Sequence, residues 1–103
     1  MPATAQNLAK QIQANDIPVV VEFWAEWCGP CKAMAPAFEK VAAELEPEMR
    51  FLKVDTEAER SLAAEYNIRS IPTLMIFRRG TIVAQQAGAI DSGSLRNWLR
   101  QYL

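Results

Sequence analysis

Runs of apolar residues alternate along the chain with segments of helical spacing. Residues 19–25 are apolar except at Glu22, a pattern typical of a central parallel strand with both faces buried. Shorter runs predict three further strands, at residues 50–54, 72–77 and 81–87. A turn at residues 78–80, ending in Gly80, predicts that the last two strands form a hairpin.

Helical spacing of apolar residues predicts four helices between and around these strands. They cover residues 4 to about 15, 31–46, 56–66 and a last stretch from about 91. Thr4 is the candidate N-cap of the first helix, and Thr56 with Glu59 has the form of a capping box for the third. Asn67 is a plausible left-handed end for that third helix.

The predicted order is helix, strand, helix, strand, helix, hairpin, helix. Such alternation indicates an α/β fold with parallel strands first and an antiparallel hairpin last. The chain has 103 residues, half of them hydrophobic, and shows no repeat or linker. We therefore expect a single domain over residues 1–103 with a core that needs no structural metal.

Composition removes several classes of function. A net charge of −1 argues against nucleic acid as a partner, and the absence of histidine excludes Cys-His and Ser-His catalytic pairs. No run approaches the roughly 18 apolar residues of a membrane span. The first seven residues have neither a charged nor an apolar signal region, so we expect a cytoplasmic protein without a secretory signal.

The two cysteines, Cys28 and Cys31, have three possible roles. Half of a zinc site would require a dimer, because the chain offers only two cysteines and no histidine. A purely structural disulfide would add little stability, since it closes a very short loop. The third role is a redox pair, and the position of the motif between a buried strand and a helix favours it.

That position predicts a different task for each sulfur. Cys28 is expected at the N-terminus of the helix, where free backbone N–H groups and the helix dipole stabilise a thiolate. Cys31 lies about one turn further on and is expected to stay protonated until a mixed disulfide forms at Cys28. We therefore predict that Cys28 attacks a disulfide and that Cys31 resolves the intermediate.

The segment from Trp24 to Lys32, with its Trp-Cys-Gly-Pro-Cys core, resembles the active-site segment of thioredoxins. Ile71-Pro72-Thr73 is similar to the cis-proline loop of that family, and the resemblance runs from about residue 4 to the C-terminus. Residues 50–54 and 56–60 look most similar to bacterial thioredoxin 2. The cysteine-rich zinc segment that precedes the domain in that subgroup is then expected to be missing.

The resemblance implies a thioredoxin fold, with a central mixed sheet of four to five strands flanked by four helices. The strand that usually precedes the first helix is expected to be very short or absent. The resemblance also implies that Cys28 is exposed, that Cys31 is shielded and that Pro72 is cis against the disulfide. The residues implied to bind substrate are Trp27, Gly29, Pro30, Ile71, Pro72, Gly88 and Ala89.

Glu22 is implied to be a third catalytic residue. It interrupts an apolar strand, where burial of a carboxylate raises its pKa. Thioredoxins usually have an aspartate at the matching position, which helps to deprotonate the second cysteine. The family often has a lysine near this acid on the next strand, but the alignment places Phe51 there and leaves the cation partner unassigned.

The resemblance implies a monomeric general protein-disulfide reductase that acts on disulfide-containing proteins. An NADPH-dependent flavoenzyme, thioredoxin reductase, is the implied partner that regenerates the dithiol. No cofactor is expected on this chain itself, because it lacks a phosphate-binding glycine loop. No metal is expected either, because two cysteines without a histidine do not complete a zinc site. The alternatives are a non-catalytic binding module, a metal-bridged dimer and an exported oxidase or isomerase.

Overall fold

Four helices and four strands alternate in a computed structural model that describes residues 2–14 and 16–103. In chain order they are α1 (Leu8–Ala14), β1 (Val19–Trp24), α2 (Gly29–Leu45), β2 (Arg50–Asp55), α3 (Arg60–Glu65), β3 (Thr73–Arg78), β4 (Thr81–Ala87) and α4 (Ser92–Arg100). The predicted order of elements is confirmed.

The described strands form one mixed sheet in the order β2-β1-β3-β4. β1 pairs parallel with β2 and antiparallel with β3, and β3 pairs antiparallel with β4. The predicted α/β class and the range of four to five strands are confirmed. β1 is therefore a central strand, as its apolar run predicts.

Successive side chains of β1 point to opposite faces of the sheet, because strand side chains alternate with a period of two. Val19, Val21 and Phe23 belong to one core cluster, which also contains Leu8 of α1 and Leu62 of α3. The other core cluster contains Val20 together with residues of α2 and α4, among them Met34, Phe38, Leu95 and Leu99. Glu22 shares the parity of Val20, so the fold directs a carboxyl group toward the α2–α4 side.

The N-terminal segment differs from its prediction at the start of the helix. α1 begins at Leu8 and not at Thr4, whose N–H donates to the side-chain Oδ1 of Asn7 at 3.0 Å. The predicted end near residue 15 lies outside the described residues. Ahead of the helix, Pro2 forms an isolated parallel bridge with Lys53, so the first strand is very short, as expected.

The capping box predicted at Thr56 and Glu59 is wrong. α3 begins at Arg60, and Glu59 makes no side-chain capping hydrogen bond. The hydroxyl of Thr56 instead donates to the carbonyl oxygen of Trp24 at 3.0 Å, so it links the segment after β2 to the end of β1. The left-handed residue predicted after this helix is confirmed, since Asn67 has a φ of 54°.

The β3–β4 hairpin turns through Arg79 and Gly80, which both have positive φ, as a tight hairpin turn requires. Its ladder contains a β-bulge. Ile76 pairs with Ala84 while the next residue, Phe77, pairs with Ile82. Val83 is therefore an extra residue on β4, which forms one edge of the described sheet.

Candidate active site

Cys28 and Cys31 form a disulfide at the N-terminus of α2, with 5.2 Å between their Cα atoms. Cys28 is the N-cap of the helix in an extended conformation, and its Sγ accepts the backbone N–H of Cys31 at 3.1 Å. Pro30 lies in the first turn, where a missing N–H is not needed within the helix. The helix begins at Gly29, two residues earlier than predicted, so Cys28 caps it and Cys31 lies in its first turn.

This geometry favours negative charge on the sulfur of Cys28. An N-cap side chain that accepts a first-turn N–H satisfies one of the helix's free donors. The positive end of the helix dipole lies at the same place. A thiolate formed at Cys28 on reduction is stabilised by both effects, as the sequence predicts.

The predicted difference in exposure between the two cysteines is wrong. Each is only 3% exposed, and both pack with Ala25, Trp24 and Ile71. Cys28 Sγ lies 3.7 Å from the carbonyl oxygen of Ile71, which covers the disulfide from a loop 43 residues further along the chain. Hydrogen bonding, more than exposure, therefore distinguishes the two sulfurs.

The loop that covers the disulfide contains Pro72, whose peptide bond with Ile71 is cis, as the resemblance implies. Pro72 is buried, and its carbonyl oxygen accepts the N–H of Gly88 at 2.8 Å. Among the described residues, the amide of Ile71 has no backbone partner. The backbone N–H group of Ile71 is therefore available for pairing close to the two sulfur atoms.

The predicted substrate-binding residues gather at this end of the sheet. Trp27 is 70% exposed, and Gly29 and Pro30 are exposed on the first turn of α2. Gly88 is joined to the proline loop by its hydrogen bond, and Ala89 follows it on the surface. The structure thus brings residues from three segments of the chain to the disulfide.

A groove of about 170 Å³ lies between Trp27, which directly precedes Cys28, and Ile71, which packs against both cysteines. Its remaining lining residues are Thr56, Ala63, Ile68, Arg69 and Ser70. Sequence reasoning missed these residues. Arg69 and Ser70 directly precede the Ile-Pro-Thr motif, and that proximity was the available signal.

Glu22 is buried among apolar side chains with 1% of its surface exposed. Loss of hydration raises the pKa of its carboxyl group from 4.5 to about 7, although the positive charge of Lys53 opposes the shift. Its Oε1 has no hydrogen-bond partner among the described residues. A carboxyl group with this pKa can take up or release a proton near neutral pH.

The cation next to Glu22, which the sequence left unassigned, is Lys53. Lys53 pairs with Glu22 in the parallel register of β1 and β2, whereas Phe51 pairs with Val20. Lys53 Nζ lies 3.8 Å from Glu22 Oε1. It also lies 5.0 Å from the ring centroid of Trp24, which itself packs against the cysteines.

No group of three or more His, Cys, Asp or Glu side chains within residues 2–14 and 16–103 could hold a metal ion. Within the same residues, no helix combines the length and the apolar character that a membrane span requires.

Comparison with known proteins agrees with the geometry. The profile of the thioredoxin family matches residues 1–101. Thioredoxin C-3 of Corynebacterium nephridii is 48% identical over 98 residues, which cover 95% of this chain and 67% of that protein. Thioredoxin of Porphyra purpurea is 41% identical and thioredoxin 1 of Nostoc sp. strain PCC 7120 is 39% identical, each over 97% of this chain and 94% of the relative.

None of these three relatives is named thioredoxin 2, so that subgroup is not supported. The family itself is shown both by the profile and by the extent of these matches. The redox-active pair lies in the Cys-Gly-Pro-Cys motif at the start of α2. The chain therefore belongs to the thioredoxin family and performs dithiol–disulfide exchange through Cys28 and Cys31.

Proposed function

We propose that this chain is a general protein-disulfide reductase that acts as a monomer with a single thioredoxin domain over residues 1–103. The observation that carries the proposal is the hydrogen bond from the Cys31 N–H to Cys28 Sγ at the start of α2. Members of the family act on disulfide substrates and with a thioredoxin reductase. An NADPH-dependent flavoenzyme of that kind, in the cytoplasm, would return this chain to its dithiol form.

In the first step, the Cys28 thiolate attacks one sulfur of a substrate disulfide. A mixed disulfide forms between Cys28 and the substrate, and the other substrate sulfur leaves as a thiolate that then takes up a proton. The N–H of Cys31, 3.1 Å from Cys28 Sγ, supports the thiolate before the attack.

In the second step, Cys31 loses its proton and attacks Cys28 Sγ. The Cys28–Cys31 disulfide forms, and the second substrate sulfur leaves as a thiolate. Two electrons have then passed from this chain to the substrate. Glu22 is the proposed proton acceptor for Cys31, and its pKa of about 7 supports that role because the carboxylate and the acid both exist near neutral pH.

Substrate binding is proposed at the surface made by Trp27, Gly29, Pro30, Ile71, Pro72, Gly88 and Ala89. An extended substrate segment could pair with the free backbone of Ile71, in the manner of strand addition. The carbonyl oxygen of Ile71 lies 3.7 Å from Cys28 Sγ, so pairing there would bring a substrate sulfur close to the nucleophile. Recognition through backbone and shape suits many different partner proteins.

The reducing direction is proposed from the Gly-Pro dipeptide between the cysteines, which resembles the reducing branch of the family. An oxidase or isomerase would use the same geometry with a less negative reduction potential. The potential depends on the relative stability of the dithiol and the disulfide, so it needs a direct measurement.

Two experiments test the proposal. Insulin-disulfide reduction with dithiothreitol measures catalysis, and Cys28→Ser is the inactive control. Equilibration with glutathione measures the reduction potential, and we expect it near that of thioredoxin, about −270 mV. Wild-type protein without insulin-reducing activity would contradict the enzyme function, whereas a potential near −120 mV, that of a strong oxidant, would contradict the reducing direction.

A further inference from the structure

The groove beside the disulfide has a single charged lining residue. Trp27, Ala63, Ile68 and Ile71 give it apolar walls, and Thr56 and Ser70 add hydroxyl groups. Arg69 provides the only formal charge among the seven lining residues. A segment that enters the groove next to Cys28 therefore meets one positive charge.

The guanidinium group of Arg69 is available to a ligand. Arg69 is exposed, and no ion pair or side-chain hydrogen bond involves it within the described part of the chain. Arg69 also borders a second, more polar depression lined by Asn67 and Gln85. Arg69 thus lines two neighbouring openings on the surface.

The two carboxylates next to Thr56 in the sequence already have partners of their own. Asp55 Oδ1 accepts the backbone N–H groups of Glu57 and Ala58, at 2.9 and 3.3 Å. Glu57 pairs with Arg60 at 3.3 Å. The two acids that flank Thr56 in the sequence therefore have partners other than Arg69.

We propose that Arg69 is a specificity-determining residue that favours substrate segments with an acidic side chain two positions from the reactive cysteine. The inference rests on the proposed function, because it concerns the substrates of the same site. The side chain of Arg69 presents up to five N–H donors in a planar fork that matches a carboxylate.

The spacing of two follows from the geometry of an added strand. Side chains at positions i and i+2 of an extended segment face the same side and lie roughly 7 Å apart. A substrate cysteine directed at Cys28 therefore places its second neighbour toward the groove between Trp27 and Arg69. The intervening residue points away from the protein and makes no such contact.

The effect has the size of an exposed ion pair. Such pairs change an equilibrium or a rate by about two- to five-fold, and salt weakens them. Because charge complementarity acts mainly on the rate of encounter, we expect the preference in the second-order rate constant.

The test uses short peptides whose single cysteine carries a thionitrobenzoate group through a mixed disulfide. The Cys28 thiolate of reduced protein attacks the peptide sulfur, and thionitrobenzoate, the better leaving group, is released and absorbs visible light. One peptide has glutamate two positions from the cysteine, a second has glutamine there and a third has lysine. Both directions along the peptide are sampled.

We expect wild-type protein to react about two to five times faster with the glutamate peptide than with the glutamine peptide at low salt. Arg69→Gln should abolish this preference, and Arg69→Glu should reverse it in favour of lysine. The matched control is Arg79→Asn, which removes the same charge from the hairpin turn at the other end of β3 and suits the positive φ of that residue.

The outcomes separate the inference from the function on which it rests. Equal rates for all three peptides in wild-type protein would overturn the role of Arg69 and leave the reductase function standing. A preference that survives Arg69→Glu would also overturn it. Failure of the reduced wild-type protein to react with any peptide would instead contradict the reductase function.

Discussion

Glu22 and Lys53 lie opposite each other in the parallel register of β1 and β2, with 3.8 Å between Oε1 and Nζ. Glu22 is buried, whereas the side chain of Lys53 is 27% exposed. The lysine lowers the pKa of the carboxyl group but does not cancel the effect of burial, so the pKa is about 7. The carboxyl group of Glu22 therefore changes its charge with pH in the neutral range.

Replacement of Glu22 by glutamine should slow disulfide reduction, because the side chain can no longer accept a proton from Cys31. The dependence of the rate on pH between about 6 and 9 should flatten in the variant. Insulin reduction measured across this range checks the prediction. Reduction rates that match those of the wild type at every pH would show that Glu22 has no part in proton transfer.

The same replacement should change how stability depends on pH. The pKa of Glu22 rises from 4.5 to about 7 on folding, a difference that corresponds to about 3 kcal/mol. A raised pKa stabilises the folded state fully below pH 4.5, and this contribution is lost as the pH rises through about 7. Glu22→Gln should therefore match the wild type near pH 4.5 and exceed it in free energy of unfolding above pH 7. Denaturant titrations of the oxidised proteins measure both values, and a variant less stable than wild type above pH 7 would contradict the sign.

Replacement of Lys53 by methionine should raise the pKa of Glu22 further, because the opposing positive charge is removed. The midpoint of the pH–rate profile should then move to higher pH. Lys10→Met is the matched control, since Lys10 is exposed on α1. Titration of the Glu22 carboxyl group by NMR in both variants gives the pKa directly. A shift of equal size in the two variants would mean that Lys53 acts only through net charge.

Serine at Cys31 should trap the mixed disulfide, because the resolving sulfur is absent while Cys28 still attacks. Serine at Cys28 should trap nothing under the same conditions. Mass spectrometry after reaction with a disulfide-bonded peptide distinguishes the two variants. Accumulation of the adduct on Cys31 in the Cys28→Ser protein would assign the roles the other way round.

Alanine at Trp27 should weaken substrate binding without harming the fold, because the ring is 70% exposed. We expect KM for a protein substrate to rise about two- to ten-fold and the free energy of unfolding to change by less than about 0.5 kcal/mol. Trp98→Ala is the control, since Trp98 is half-buried on α4 and packs against Tyr102. That variant should lose about 2 kcal/mol of stability and keep its KM, and the opposite pattern would contradict both assignments.

Alanine at Gly88 should destabilise the protein by about 1–2 kcal/mol, because an L-residue is strained at positive φ. Gly88 has a φ of 97°, yet a Cβ there would contact no atom within 4 Å, so the cost comes from the backbone alone. Gly29→Ala has equal space without positive φ and should be nearly neutral. Thermal unfolding of the two variants compares these costs, and equal melting temperatures would exclude backbone strain at Gly88.

Local patterns predicted the parts of this fold that depend on local chemistry. The apolar run of β1, the left-handed Asn67 and the cysteine pair at a helix N-terminus were all visible in the sequence. The capping box failed because Thr56 had a long-range alternative, the carbonyl oxygen of Trp24. A pattern of neighbouring residues in the sequence does not predict this hydrogen bond, because its two partners are 32 residues apart.

The candidate site depended more on contacts between distant segments. Lys53 becomes the partner of Glu22 only through the register of two strands, so the sequence alone left that partner unassigned. The burial of Cys28 depends on Ile71, which lies far along the chain. The residue types were therefore predictable, whereas their pairing required the folded structure.

The bulge at Val83 has a consequence for concentrated solutions of this protein. β4 forms an edge of the sheet, contains no charged residue and exposes Ile82 and Val83. A regular edge of that composition would be a template for pairing between copies and for aggregation. The extra residue interrupts the row of free N–H and C=O groups and increases the local twist. Protection against aggregation at this edge therefore lies in the shape of the backbone, without the charged side chains that edge strands often carry.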